Sequence, residues 1–212
     1  MTDEVQTSNE SPEPARENSL NIPNLITFSR LVLSFVVLAL IDFTDYWLLT
    51  TAIFVIAAAT DFLDGYLARK WNQVTVLGRI MDPFVDKVIV GGTLIFLTAH
   101  PDSGICPWTT FIVIGREMFV TGLRSVLEGH GIDFSAKWSG KLKMIVQSVT
   151  IPLCLASMSP TLTQFLGPYA EHFVSFRDWM IIAMVLITLY SGAEYTWRGM
   201  ALMSQQKSTP EK

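Results

Sequence analysis

Four aspartates, Asp61, Asp64, Asp82 and Asp86, fall within stretches otherwise apolar enough to lie in a bilayer. A charged side chain at mid-helix in hydrocarbon costs roughly 2.5–3.5 kcal/mol on insertion scales, so a chain that keeps four must neutralise them. Asp61 and Asp64 are three residues apart, and Asp82 and Asp86 are four apart. Each pair therefore shares one helical face, separated by about 60° and about 40° around the axis. Two such faces turned toward each other make a box of four carboxylates. Hard oxygen ligands with no histidine or cysteine nearby favour Mg2+ or Mn2+ over zinc. Two such ions per site would clamp a pyrophosphate and assist an in-line displacement. The chemistry expected is that of a membrane enzyme acting on a phosphorylated substrate.

The residues between the pairs suit the same chemistry. Gly65 leaves the helix surface bare beside Asp64, and Ala68 keeps that face low. Arg69 offers a planar fork of donors to phosphate oxygens. Gly78 lets the two aspartate-bearing helices pack closely. A divalent-cation transporter is the rival class, since it too holds carboxylates within a membrane. It requires acids near the midplane with a polar path to both sides, and both pairs here lie toward one end of their helices.

The pattern Asp61-x2-Asp64-Gly65-x2-Ala68-Arg69-x8-Gly78-x3-Asp82-x3-Asp86 resembles the signature of the CDP-alcohol phosphotransferase family at all eight fixed positions. The resemblance implies a six-helix membrane fold, a homodimer, and transfer of a phosphatidyl group from a CDP-linked lipid to an alcohol with release of CMP. It implies that Asp61, Asp64, Asp82 and Asp86 hold two metal ions and that Asp86 takes the proton of the acceptor hydroxyl. It further implies that Gly65 and Arg69 contact the CDP moiety, joined by Thr75 and, from the first helix, Asn24 and Thr27.

Other stretches are similar to one branch of that family, the phosphatidylglycerophosphate synthases: Asn21-Ile22-Pro23-Asn24-x-Ile26-Thr27-x2-Arg30, Arg116-Glu117 with Leu123-Arg124, and Gly140-Lys141-x-Lys143-x3-Gln147. This branch implies CDP-diacylglycerol and glycerol 3-phosphate as substrates. Cations are then needed for the acceptor's phosphate, and Arg116, Arg124, Lys141 and Lys143 supply them. Arg116 is the most telling, lying well inside an apolar stretch with Glu117 beside it or facing another helix. Lys141 and Lys143 also admit a plain reading as topology-setting charge. Another acceptor (phosphatidylglycerol, inositol phosphate or serine) stays open within the family. The chain departs from the pattern at Ser34, Val85 and Met144, where proline, alanine and threonine are common.

The elements that must position these residues are expected to be helical throughout. Half the residues are hydrophobic and 16% are charged, against about 25% charged in soluble domains. The apolar residues form six runs, roughly 24–41, 46–67, 79–99, 107–127, 140–159 and 179–200, each near the ~20 residues that cross a hydrocarbon core. The fold class expected is an all-α integral membrane protein with six transmembrane helices and a juxtamembrane segment beginning near Asn21-Ile22-Pro23-Asn24. Pro152 interrupts the fifth run, and Gly129-His130-Gly131 and Pro160–Pro168 read as loops. The short link Lys70–Leu77 makes the second and third helices antiparallel neighbours.

The net charge of −4 arises in residues 1–20, read as a disordered acidic tail that lacks the features of a cleaved signal. Residues 21–204 form the catalytic membrane domain and 205–212 a flexible tail. Arg69, Lys70, Arg79, Arg124, Lys137, Lys141 and Lys143 gather on one side. That places both termini and the aspartates on the cytoplasmic face, in a bacterial cytoplasmic membrane. No nucleic-acid partner is expected. Cys106 and Cys154 lack metal spacing and read as packing residues. His100, His130 and His172 read as loop residues without catalytic partners. Tyr46, Trp47, Trp71, Trp108, Trp138, Trp179 and Trp197 read as interfacial anchors.

Overall fold

The computed structural model of the protein describes residues 22–70, 76–129 and 138–207, with side chains described outside 22–23, 61–80, Asp82 and 205–207. Regular structure among them is helical: α1 (Ile22–Phe43), α2 (Trp47–Lys70), α3 (Val76–Leu97), α4 (Pro107–Gly129), α5 (Trp138–Ser157), α6 (Pro160–Leu166) and α7 (Ala170–Lys207), with short 3-10 turns at Pro101–Ser103 and Gly167–Tyr169. The six long helices fall where the apolar runs lie. Pro23 sits in the first turn of α1, where a missing N–H costs nothing. The proposed tail 1–20 lies outside the described residues, and α7 runs on to Lys207.

Helix α1 is the organising element, packed against both α2 and α3, while α7 packs against α4 and α5 and the two groups meet through α2, α3 and α5. Along α1, Thr27, Arg30, Ser34, Val37 and Ile41 are buried at helical spacing, while Phe28, Val32, Phe35 and Phe43 are exposed. The main core joins Val37, Ile41, Phe54, Ile89, Leu94, Val113, Ile151, Leu155 and Met184. Val120, Leu127 and Tyr195 form a second, smaller cluster.

The expectation of six transmembrane helices requires correction. Among the described residues, two stretches are long and apolar enough to cross a membrane: Asn24–Phe43, with mean hydropathy 2.1, and Pro160–Ser204, with mean hydropathy 1.6. Trp47–Thr60 is apolar but shorter. The physical reason lies in the charges that the other helices carry. Helix α3 holds Arg79, Asp82, Asp86 and Lys87, α4 holds Arg116, Glu117, Arg124 and Glu128, and α5 opens with Lys141 and Lys143. An apolar run of spanning length does not by itself make a span when ionised groups are spread along it.

Five local expectations also change. Pro160–Pro168 is not a loop but begins with α6, where Ser159 caps the helix by accepting from the Leu162 N–H at 3.3 Å and Pro160 opens the first turn. Helix α7 starts nine residues before the expected 179. Its Arg177 is buried and donates to the Asp102 carbonyl at 2.6 Å and to Ser157 Oγ at 3.0 Å, tying α7 to the 3-10 turn and the end of α5. Pro152 lies within α5 without ending it, as a proline can where neighbouring helices hold the turn in place. Both cysteines are free; Cys154 is core, but Cys106 is exposed. Trp47 is buried rather than interfacial, with its ring edge-on to His100 at 5.2 Å.

Candidate active site

Asp86 lies on α3 between the buried Val85 and Ile89, its own side chain 38% exposed. It ion-pairs with Arg30 of α1, which is almost fully buried at 1% exposure. A guanidinium so deeply placed must have an anion, because an unpaired buried charge costs several kcal/mol. One turn further along α1, Ser34 Oγ donates back to the Arg30 carbonyl at 2.7 Å. Ser34, one of the departures from the family pattern, thus has a structural task. Val85, another, is wholly buried.

A cavity of about 720 Å³ opens beside this pair. Its polar end is lined by Arg30, Asp86, Lys87, Arg116, Glu117, Arg124, Lys141, Lys143 and Gln147. Thr121, Ser148 and Tyr195 also line it, and the remaining wall is apolar, including Leu38, Gly91, Gly92, Ile114 and the exposed Phe84, Ile95 and Met118. Polar and apolar substrate parts could therefore lie side by side in one space.

Glu117 is the hub of the cationic end. It accepts from Arg116 Nη1 at 3.2 Å and from the ammonium of Lys143 on α5. Arg116 Nη2 donates to Ser191 Oγ of α7 at 2.5 Å, and the guanidinium stands over the buried Tyr195 ring at 5.3 Å. Close helix approach makes this possible. A Cβ on Gly192 would lie 3.2 Å from Arg116 Cγ, and one on Gly140 would lie 3.0 Å from the Tyr195 hydroxyl. The glycine of Gly140-Lys141-x-Lys143 thus lets α5 begin against α7.

The structure brings Asp86, Arg116, Arg124, Lys141 and Lys143 to one cavity. Lys143 is buried and Lys141 exposed. On α1 Thr27 is buried, as Arg30 is, and Asn24 is half-buried, but neither Asn24 nor Thr27 lines the described cavity wall. The side chains of Asp61, Asp64, Gly65, Arg69 and Asp82 lie outside the described residues, as does Thr75 and with it the expected meeting of the two aspartate pairs. Among the described residues no three His, Cys, Asp or Glu side chains group to hold a metal. The one ligand candidate that is described, Asp86, is a hard oxygen donor open to the cavity, which suits Mg2+ or Mn2+.

Sequence reasoning assigned no role to Arg30, Ser191, Tyr195 or Gln147. Arg30 carried a usable signal, since a lone arginine inside an apolar helix demands a partner. Ser191 and Tyr195 carried none, because α7 shows little pattern until α4 is packed against it.

A family model described as CDP-alcohol phosphatidyltransferase matches residues 20–190. A CDP-diacylglycerol--glycerol-3-phosphate 3-phosphatidyltransferase of Bacillus subtilis is 34% identical over 192 residues, 82% of this chain and 93% of that protein. An enzyme of the same name from Salmonella typhimurium is 36% identical over 135 residues, 62% of this chain and 74% of its own. A probable phosphatidylglycerophosphate synthase of Mycobacterium tuberculosis is 32% identical over 190 residues, 87% of this chain and 84% of that protein.

Proposed function

This chain belongs to the CDP-alcohol phosphatidyltransferase family, and from that premise we propose that it transfers the phosphatidyl group of CDP-diacylglycerol to sn-glycerol 3-phosphate, giving phosphatidylglycerophosphate and CMP. One observation carries the choice of acceptor: the cavity that holds Asp86 also holds Lys143, Lys141, Arg124 and Arg116. A carboxylate poised for a hydroxyl and a cationic cluster for a phosphate, in one space, suit an acceptor that has both groups.

Asp86 takes the proton of the acceptor's primary hydroxyl as that oxygen bonds to the lipid-side phosphorus, and the bond from that phosphorus to CMP breaks. Arg30 orients the carboxylate from below. Lys143, Lys141 and Arg124 bind the acceptor phosphate. Arg116, both of whose terminal nitrogens already carry a bond, adds its charge from behind and fixes Glu117. Asp61, Asp64, Asp82 and Asp86 would hold two Mg2+ or Mn2+ ions, whose chemistry is to neutralise the pyrophosphate and the leaving CMP. Gly65, Arg69 and Thr75, with Asn24 and Thr27, take the CDP moiety; the family signature supports this. The apolar wall receives the diacylglycerol part.

The protein is placed in a membrane with the polar end of the cavity toward the cytoplasm, supported by Arg124, Lys141 and Lys143 at that end and by Asp42, Asp45, Asp102 and Asp178 at the other. A homodimer is carried over from the family. The deciding experiment offers the purified protein CDP-diacylglycerol with glycerol 3-phosphate, phosphatidylglycerol, inositol phosphate or serine, and follows CMP release. Turnover with glycerol 3-phosphate is expected; turnover with any of the others in its place would overturn the acceptor assignment.

A further inference from the structure

We infer that Gln147 reads the secondary hydroxyl of the acceptor, making it a specificity residue for glycerol 3-phosphate; this rests on the functional reading above. Gln147 is 3% exposed and lines the cavity, and its Nε2 has no hydrogen-bond partner among the described residues. A buried donor left unpaired is destabilising by itself, and native proteins seldom keep one without a use. It lies one helical turn beyond Lys143 on the same buried face of α5, which continues into the apolar Ile151, Cys154 and Leu155. Gln147 thus stands between the charged Lys143 and the part of α5 where Ile151, Cys154 and Leu155 join the main core.

Charge separates the two neighbours' tasks. The Lys143 ammonium suits a phosphate, whereas an uncharged amide N–H suits an uncharged oxygen. Residues four apart on a helix stand about 5–6 Å from each other at Cβ. That spacing suits a phosphate on one residue and, on the next, the hydroxyl of the carbon adjoining the phosphate ester. In glycerol 3-phosphate this is the C2 hydroxyl, leaving the C1 hydroxyl to react.

The test uses Gln147→Leu, a near-isosteric change that removes an unsatisfied donor and so spares the fold. The full-length protein is assayed in detergent micelles of CDP-diacylglycerol, with glycerol 3-phosphate or with 3-hydroxypropyl phosphate, which lacks the C2 hydroxyl. The expected result is a KM for glycerol 3-phosphate raised on the order of tenfold by the loss of that hydrogen bond, with an unchanged KM for CDP-diacylglycerol. With 3-hydroxypropyl phosphate, the variant and the unaltered enzyme are expected to share one KM. An equal penalty on both acceptors, no penalty on either, or loss of the thermal unfolding transition would each overturn the inference while leaving the functional reading intact. If the unaltered enzyme does not use glycerol 3-phosphate, the functional reading falls and this inference with it.

Discussion

Arg30 of α1 pairs with Asp86 of α3 across 56 residues of chain, joining a buried guanidinium to the one described carboxylate of the aspartate signature. With Asp86 as the proposed base, the pair ties α1 to the reaction. Its first consequence is kinetic. Arg30→Met should lower kcat by about 10–100-fold, the range for a charged hydrogen bond, with a smaller change in the KM for CDP-diacylglycerol. Arg30→Lys should recover part of the loss. A kcat within twofold of the unaltered enzyme, measured at saturation of both substrates, would remove Arg30 from this role.

Asp86→Asn keeps an oxygen for Arg30 to bond but cannot take a proton. Turnover should fall by at least about 10²-fold, as for loss of a general base, while CDP-diacylglycerol still binds. CMP release and equilibrium binding of the CDP-lipid check the two halves separately. Retained turnover would defeat the assignment of the base.

Lys143 and Glu117 should separate binding from stability. Lys143→Met removes a proposed phosphate ligand, so the KM for glycerol 3-phosphate should rise by at least about tenfold with that for CDP-diacylglycerol unmoved. Glu117→Gln instead removes the anion shared by the buried Lys143 and the largely buried Arg116. It should destabilise the protein by about 3 kcal/mol, a fall in Tm of roughly 6–12 °C for a chain of this length. Equal KM effects of Lys143→Met on both substrates, or an unshifted melting curve for Glu117→Gln, would contradict this division.

Removal of divalent metal should silence the enzyme. Excess chelator is expected to stop CMP release, and Mg2+ or Mn2+ added back should restore it, with the ion that restores it better identifying the preferred cofactor. Full activity in excess chelator would leave the four aspartates without their proposed task.

The positions of the long helices were legible because apolar runs of about twenty residues must either cross a membrane or bury themselves, and both states favour helix. Which of these applies was not legible from run length. The charges on α3, α4 and α5 distinguish them, and there the reading of six spans failed. Arg116 was readable as a site residue because its charge sits in an apolar context, whereas Arg124, Lys141 and Lys143 were gathered with it through the family resemblance. The geometry inside the cluster was not readable. Whether Arg116 would face Glu117 or another helix depended on how α4 and α7 pack, and the answer is both, through Glu117 and Ser191. Helix α6 was hidden because seven residues are too few for a periodic pattern; only Ser159-Pro160 hinted at a cap.

Phe84, Ile95 and Met118 belong at once to the cavity wall and to the outer surface. On the proposed function, a wall of that kind is where the lipid would enter by lateral diffusion rather than through bulk water. The enzyme's saturation should accordingly track the mole fraction of CDP-diacylglycerol in the surrounding lamella or micelle, and inert detergent should slow it by dilution in two dimensions even when the total amount of lipid is unchanged.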